Sequence, residues 1–272
     1  MKARETFTYI VFALCCMMIS EAAVGQTNQP NKGSRATETT ISPSAVEAQR
    51  DVITPLKKEK VSDINELQFS PRQYSSQSTY WENETRVNPN DPNAWYNYYK
   101  SNRYSYYSKT SSAVTAAEQK DLDEITASMG QMVPESYEYN YIKYWNGNYN
   151  TANFKYLQTA YDLDPNRAEL YDDFIAHYEI TGMASQKKEF CKKLMKSGDI
   201  SEEIMAYNYN VLMSLDQNAV LVTNGENDTY PLWILQEVKG IRTDVTVLNT
   251  DLLGVDAYRK TKLAEVGLKS SH

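Results

Sequence analysis

The sequence predicts a mostly α-helical protein, built from antiparallel helix hairpins, with a small β-α-β module at its C-terminal end. Two Asp-Pro-Asn helix starts, at Asp91 and Asp164, recur about two hairpin periods apart, one period being roughly 34 residues. Two glycine turns, at Gly147 and Gly182, lie about one such period apart. After residue 217 the pattern changes to two short apolar runs on either side of one amphipathic segment, which is typical of a strand-helix-strand unit.

The first residues have the order of a secretory signal peptide. Lys2 and Arg4 precede the apolar stretch Tyr9–Ile19, and residues 23–25 are small. The stretch is shorter than the roughly 20 apolar residues of a spanning helix, so an uncleaved anchor is the less favoured alternative, as is acylation at a cysteine of this region. We therefore predict a signal peptide over residues 1–25. The mature chain is expected to be exported, periplasmic or envelope-associated, without an integral membrane span.

Residues 26–77 are rich in polar side chains and show little hydrophobic periodicity, which predicts a disordered linker. An alternative for residues 63–69, near the end of this segment, is a short strand or helix. Residues 78–216 are predicted to be helical repeats and residues 217–272 the β-α-β module. The predicted helices of the repeat region are Ser78–Val87, Ala94–Tyr107, Ala117–Gln131, Glu135–Trp145, Thr151–Leu163, Ala168–Thr181, Ala184–Ser197 and Ser201–Ser214.

The middle of the repeat region resembles the tetratricopeptide repeat. The residues that follow this family's pattern are Gly147, Tyr149, Ala152, Tyr156, Ala160 and Pro165, the last two one place late. The resemblance implies helix hairpins that must stack on their neighbours to bury their apolar faces. It also implies a surface that binds other proteins.

Aromatic residues are concentrated in one predicted helix. Of the 22 tyrosines of the chain, six lie between Tyr96 and Tyr107, more than one buried helix stripe can hold. Some of them should therefore be exposed on a contact surface, because tyrosine and tryptophan are enriched at protein interfaces. The predicted protein-contact residues are Trp95, Tyr98, Tyr99, Tyr106 and Tyr107.

Composition restricts the possible functions. The formal net charge is −7, which argues against nucleic-acid binding and against an anionic membrane surface as partner. Only His177 and His272 are histidines, and Cys191 is the one cysteine after the signal region. No Ser/His/Asp, Cys/His or zinc set can be built from them. We predict a non-enzyme without cofactor or metal, in which Cys191 and His177 have packing roles.

The C-terminal module is predicted from two parallel strands, Val220–Thr223 and Val245–Leu248, and a helix at Pro231–Val238 that ends before Gly240. A two-stranded parallel sheet is not stable alone, so it must lie on the repeat helices or borrow strands from elsewhere. Its open edge is a second hypothesis for a place where a partner docks.

A polar loop follows the first of these strands, where α/β proteins bind ligands. The candidate ligand or metal residues are Asn224, Glu226, Asp228, Thr229 and Asp251. The favoured alternative is structural: Asp228 and Thr229 cap the helix, Asn224 makes the turn with Gly225, and Arg242 pairs with an acid. A P-loop is excluded, because the loop has a single glycine and no Gly-Lys-Ser/Thr.

This module is similar to the soluble domain of bacterial multi-spanning membrane proteins of the protein O-mannosyltransferase-like family. The matching residues are Asn224, Gly225, Asn227, Asp228, Thr229, Pro231, Leu232, Trp233, Gln236, Glu237, Val238, Gly240, Arg242, Thr243, Asp244, Val245 and Asn249. Glu226 stands where the family has Asp. The membrane-embedded part of that family has no counterpart in this sequence, so the resemblance implies a shared soluble module and does not imply glycosyl transfer.

These observations favour a non-catalytic protein-binding scaffold, or an accessory subunit of a cell-envelope complex, that acts through its helical-repeat surface. The alternative is a ligand- or metal-binding protein, related to sugar donors, that uses the loop Asn224–Thr229. A third hypothesis is a structural envelope protein tethered by Gln26–Gln73. The expected partners are proteins of the envelope.

Overall fold

The computed structural model describes residues 10–12, 69–110 and 114–268, with the side chains from 69 to 107 and from 114 to 268. One compact unit comprises residues 1–15 and 63–272, and the other, residues 16–62, lies outside the described residues. The signal-peptide cleavage site, nearly all of the predicted linker and most of 63–69 therefore also lie outside them.

The helices are α1 (Pro71–Val87), α2 (Pro92–Thr110), α3 (Ala116–Met132), α4 (Tyr137–Trp145), α5 (Phe154–Leu163), α6 (Tyr171–Thr181), α7 (Ala184–Ser197), α8 (Glu202–Met213), α9 (Tyr230–Lys239) and α10 (Asp256–Glu265). The strands are β1 (Ile10–Phe12), β2 (Val220–Thr223) and β3 (Thr246–Asn249).

The predicted fold class is confirmed, since helices dominate and the sheet is small and parallel. Helices α1 and α2, α4 and α5, and α6 and α7 pack against each other as neighbours in the chain, while α3 contacts α2 and α4. The turns predicted at Gly147 and Gly182 are present, and Gly182 has the positive φ of 70° that glycine adopts without strain. Short 3₁₀ turns at Thr151–Asn153 and Ala168–Leu170 take the place of the predicted first turns of α5 and α6.

Helix α1 begins seven residues before the predicted start, so residues 71–77 are helical and not part of a linker. Ser70 and Gln73 form a capping box: the Ser70 hydroxyl accepts from the Gln73 amide, and the Gln73 side chain accepts from the Ser70 amide at 2.8 Å. Pro71 occupies the first helical position, where its missing N–H has no cost. Tyr74 is fully buried one turn later, which fixes this end of the helix to the domain.

The sheet has the order β1-β2-β3, and both pairs are parallel. Val220 is opposite Thr246 on one side and Ile10 on the other. The edge of β2 that was expected to be open is therefore paired, and the sheet borrows its third strand from the N-terminal stretch predicted as a signal peptide. A short run of β-branched and aromatic residues suits a buried parallel strand as well as the apolar core of a signal peptide, so composition alone does not distinguish the two.

The C-terminal module lies directly on the last helices of the stack. Helix α9 packs against α7 and α8, and α10 contacts α6. One continuous group of buried side chains runs from Tyr96 in α2 to Tyr258 in α10. Within the described residues, no helix combines the length and the apolar character needed to cross a membrane.

Candidate functional site

An open groove of about 410 Å³ lies between α1, α2 and α3. Helix α2 contributes Trp95, Tyr98, Asn102 and Tyr106, whose spacing places them along one face of the helix. Three of the five predicted protein-contact residues therefore line one concavity. We call it the aromatic groove.

Hydrogen bonds hold two of these aromatic side chains in place. The Trp95 indole N–H donates to the Pro89 carbonyl at 2.8 Å, and the Tyr106 hydroxyl donates to the Asp121 carboxylate at 3.2 Å. Burial, together with the charge of Asp121, raises the pKa of Tyr106 to about 12. The half-buried Tyr98 packs on Trp95 with 6.4 Å between ring centroids, and its hydroxyl has no hydrogen bond to any described residue. Tyr98 is thus the aromatic residue of the groove with a free polar group.

The prediction for Tyr99 is wrong, because that side chain is fully buried. Its hydroxyl donates to Asn146 Oδ1 at 2.9 Å and accepts from Arg103 Nη1 at 3.2 Å. Tyr107 does not line the groove and accepts from Arg103 Nη2 at 3.3 Å. Residues 99, 103 and 107 are four apart and share a helix face that the groove residues do not occupy, which is why the two sets separate.

Carboxylates dominate the charge of the groove. Glu82 of α1 and Asp121 and Glu124 of α3 line it, against the single guanidinium of Arg86. Arg86 pairs with Glu82 at 2.7 Å, and both side chains are well exposed. An exposed i,i+4 ion pair of this kind contributes little to folding stability, so Arg86 and Glu82 can readily pair with other ions instead. The groove is therefore aromatic along α2 and acidic at its sides.

The polar loop between β2 and α9 is internally bonded. The buried Asp228 carboxylate accepts from the Asn224 amide at 3.0 Å, and Thr250 donates to Asn224 Oδ1 at 2.8 Å. Burial raises the pKa of Asp228, and the charge of Asp251 adds to that increase. Glu226 is exposed. In the described part of the chain no three His, Cys, Asp or Glu side chains are placed to hold a metal ion, so Glu226, Asp228 and Asp251 do not form the predicted cation site.

Thr229 does not cap α9 with its side chain, contrary to the structural alternative considered for this loop. Its hydroxyl donates to the Gly225 carbonyl at 2.6 Å, accepts from Asn249 Nδ2 at 2.9 Å and lies 2.7 Å from the Thr223 hydroxyl. Thr229 therefore joins the end of β2 to the end of β3. Local capping rules consider only residues within a few positions, so they do not predict the contact between Thr229 and Asn249, which are 20 positions apart.

The expected acidic partner of Arg242 is Asp244, at 2.9 Å. The same guanidinium also donates to the carbonyls of Leu212 and Leu215 at 2.7 and 2.9 Å, and so caps the end of α8. Arg242 has a positive φ of 47°, a conformation that these bonds hold in place. The Arg-Thr-Asp sequence thus anchors α8 to the start of β3.

Sequence reasoning missed a second acidic position, in the first turn of α6. Asp172 and Asp173 lie against α4, where the Tyr144 hydroxyl donates to the Asp173 carbonyl at 3.4 Å. Burial, followed by the charge of Glu226, raises the pKa of Asp173 to about 8. Burial, followed by the charge of Asp173, also raises the pKa of Asp172. Two acids in the first turn of a helix are an ordinary helix-dipole signal, so nothing in the local pattern singled them out.

Cys191 and His177 have the environments expected of packing residues. Cys191 is a buried free thiol, and burial raises its pKa to about 12. His177 stacks on Phe154 at 3.7 Å between ring centroids, and burial lowers its pKa to about 4. Neither side chain is poised for nucleophilic or acid-base chemistry at neutral pH.

A search of curated proteins and a search of solved structures each found no match to this chain. The profile of one domain family matches residues 204–265, from within α8 to the end of α10. This is the segment for which the sequence suggested a module shared with membrane proteins, and the match does not reach the helices before α8. Over these residues the chain is similar to TMEM260-associated domain 2.

Proposed function

We propose that this protein is a non-catalytic scaffold, or an accessory subunit of a cell-envelope complex, that binds a partner protein in the aromatic groove. The observation that carries the proposal is the placement of Trp95, Tyr98 and Tyr106 in one concavity between α1, α2 and α3. Large aromatic side chains in a concave site are the usual anchors of protein interfaces.

The chemistry of the groove suggests its ligand. The Tyr98 hydroxyl is available to a polar group, and three carboxylates outnumber one guanidinium in the lining. A peptide segment that carries an apolar residue flanked by lysine or arginine would satisfy both features. The helix hairpins are consistent with a tetratricopeptide-like stack, an architecture that presents extended binding surfaces. A signal peptide would place this interaction in the envelope.

Affinity capture from envelope extract tests the proposal. Trp95→Ala and Tyr98→Ala are compared with wild type and with Tyr207→Ala, which removes a well-exposed tyrosine of α8. Loss of an anchor residue costs about 2 kcal/mol, so we expect at least tenfold less of the specifically captured protein with the two groove variants. The Tyr207 variant should capture as wild type does. Equal capture by all four chains would contradict the proposal.

A second candidate is ligand binding at the loop Asn224–Thr229, related to sugar donors. Two observations favour it: the similarity of residues 204–265 to a TMEM260-associated domain, and the position of the loop at the carboxyl end of a parallel strand. Calorimetric titration with nucleotide sugars, with and without Mg²⁺, tests it. An absence of heat in every titration would remove this candidate.

A further inference from the structure

Strand β1 occupies one edge of the small sheet. The backbone pairing is parallel and places Ile10 opposite Val220 and Phe12 opposite Val222. Strand β2 is therefore the central strand of the sheet, with β3 on its other side. The residues of β1 stand near the start of the chain and those of β2 near its end, so their pairing joins two separate segments, as in a complex between two chains.

The side of β2 that faces β1 depends on that strand for its hydrogen bonds. On the opposite side β2 is paired with β3 over all four of its residues. Val220 and Leu221 of β2 are 2% and 0% exposed, and Leu221 belongs to the continuous hydrophobic core. Amide and carbonyl groups at such a buried position lose free energy when they have no hydrogen-bond partner. The edge of β2 therefore needs an extended segment beside it.

Export would remove the segment that now fills this edge. Ile10–Phe12 lie within the apolar stretch that the sequence predicts as the core of a signal peptide, with cleavage after residue 25. The exported chain would keep β2 and β3 and would expose one edge of β2. A parallel sheet of two strands is not stable alone, and an open strand edge pairs readily with another extended segment.

We propose that the edge of β2 in the exported chain is a strand-addition site, which binds an extended apolar segment of a partner protein in parallel orientation. Strand β1 defines the ligand chemistry, since its residues Ile-Val-Phe are β-branched or aromatic. In such an addition main-chain hydrogen bonds supply affinity and alternate side chains supply specificity. The unprocessed chain fills the site itself, so binding begins only after cleavage. The inference rests on the export that the proposed function includes, and it does not depend on the aromatic groove.

A synthetic peptide that copies residues 8–14, Thr-Tyr-Ile-Val-Phe-Ala-Leu, is the probe for this site. Its matched control carries Ile10→Pro and Val11→Pro. Adjacent residues of a strand direct their amide N–H groups to opposite sides, so one of the two prolines removes a hydrogen bond to β2 whichever way the strand faces. The control peptide remains short and apolar, which separates strand pairing from general hydrophobic binding.

Calorimetry with both peptides compares three chains. These are the exported chain isolated from the cell envelope, the unprocessed chain of 272 residues, and the unprocessed chain with Ile10→Pro and Val11→Pro, in which β1 cannot pair fully. We expect the exported chain and the double variant to bind the copied peptide at least about tenfold more tightly than the unprocessed chain. The proline peptide should bind both of them at least about tenfold more weakly. Circular dichroism checks that each chain keeps its helices.

The intact mass of the chain isolated from cells shows whether residues 1–25 have been removed, independently of any binding. Retention of these residues would overturn the proposal, because the edge of β2 would never open. Absence of peptide binding by the exported chain and by the double variant would overturn it as well, as would equal binding of the two peptides. Capture by the aromatic groove is measured with variants of α2, so a failure of the strand-addition site is distinguishable from a failure of the scaffold proposal.

Discussion

The carboxylate of Glu179 in α6 lies 2.6 Å from the ammonium of Lys187 in α7, and both side chains are almost completely buried. Lys262 of α10 approaches the same carboxylate at 3.1 Å, and the Lys187 ammonium lies 4.5 Å from the ring centre of Trp233 in α9. Burial alone would raise the pKa of Glu179, but the two ammonium groups more than compensate and lower it. This ionic contact therefore joins the helix stack to the C-terminal module.

Replacement of Lys187 by Met is expected to lower the free energy of unfolding by about 3 kcal/mol. The reason is that the buried Glu179 carboxylate would lose its closest partner, and an uncompensated buried charge is costly. Urea unfolding at pH 7 measures the change. The exposed neighbour Lys188→Met is the control and should change stability by less than about 0.5 kcal/mol. Similar losses of unfolding free energy in the Lys187 and Lys188 variants would show that the ionic contact does not hold the C-terminal module to the helix stack.

Stability should fall as the pH rises towards 8, because of Asp173. Its pKa is raised from 3.8 when unfolded to about 8 when folded, so the folded state binds the proton more tightly. This contribution is complete below pH 4 and is lost as the pH passes through 8. Asp173→Asn cannot titrate and should therefore gain more in melting temperature at pH 8 than at pH 5. Equal shifts at both pH values, measured by differential scanning calorimetry, would contradict this assignment.

Substitution of Thr229 by Val should destabilise the module by about 1–3 kcal/mol. The valine keeps the shape but leaves the Asn249 amide and the Gly225 carbonyl without their hydrogen bonds. Chemical unfolding monitored by tryptophan fluorescence measures the loss. The exposed Thr243→Val is the matched control and should be nearly neutral. A neutral Thr229→Val would mean that the loop does not depend on this hydroxyl.

Cys191 should react with a maleimide very slowly in the folded protein and rapidly after denaturation. The thiol is buried and its pKa is about 12, so little thiolate exists at pH 7. Mass spectrometry of the peptide that contains Cys191 measures the modification without interference from other cysteines. A cysteine introduced in place of the exposed Met213 provides the fast reference. Comparable native rates at the two positions would show that the thiol is accessible.

Local sequence signals were sufficient to predict most of the helices and strands. The bounds of α7 and β2 agree with the sequence prediction, because capping residues, glycine stops and β-branched runs act within one or two turns of the chain. The predicted start of α1 lies too far along the chain because the capping box formed by Ser70 and Gln73 was overlooked. The concentration of aromatic residues in α2 is visible in the sequence, whereas the burial of Tyr99 depended on which face of α2 the neighbouring helices cover.

The sequence by itself determined the elements: which segments form helices or strands, where they end, and how poor the chain is in catalytic side chains. Only the tertiary structure decided which polar groups meet: Thr229 with Asn249, and Glu179 with Lys187 and Lys262. Helix and strand formation depends on neighbours within a few residues. The partners of a buried charge or hydroxyl depend on how distant segments of the chain pack against each other. That packing is determined by the whole core.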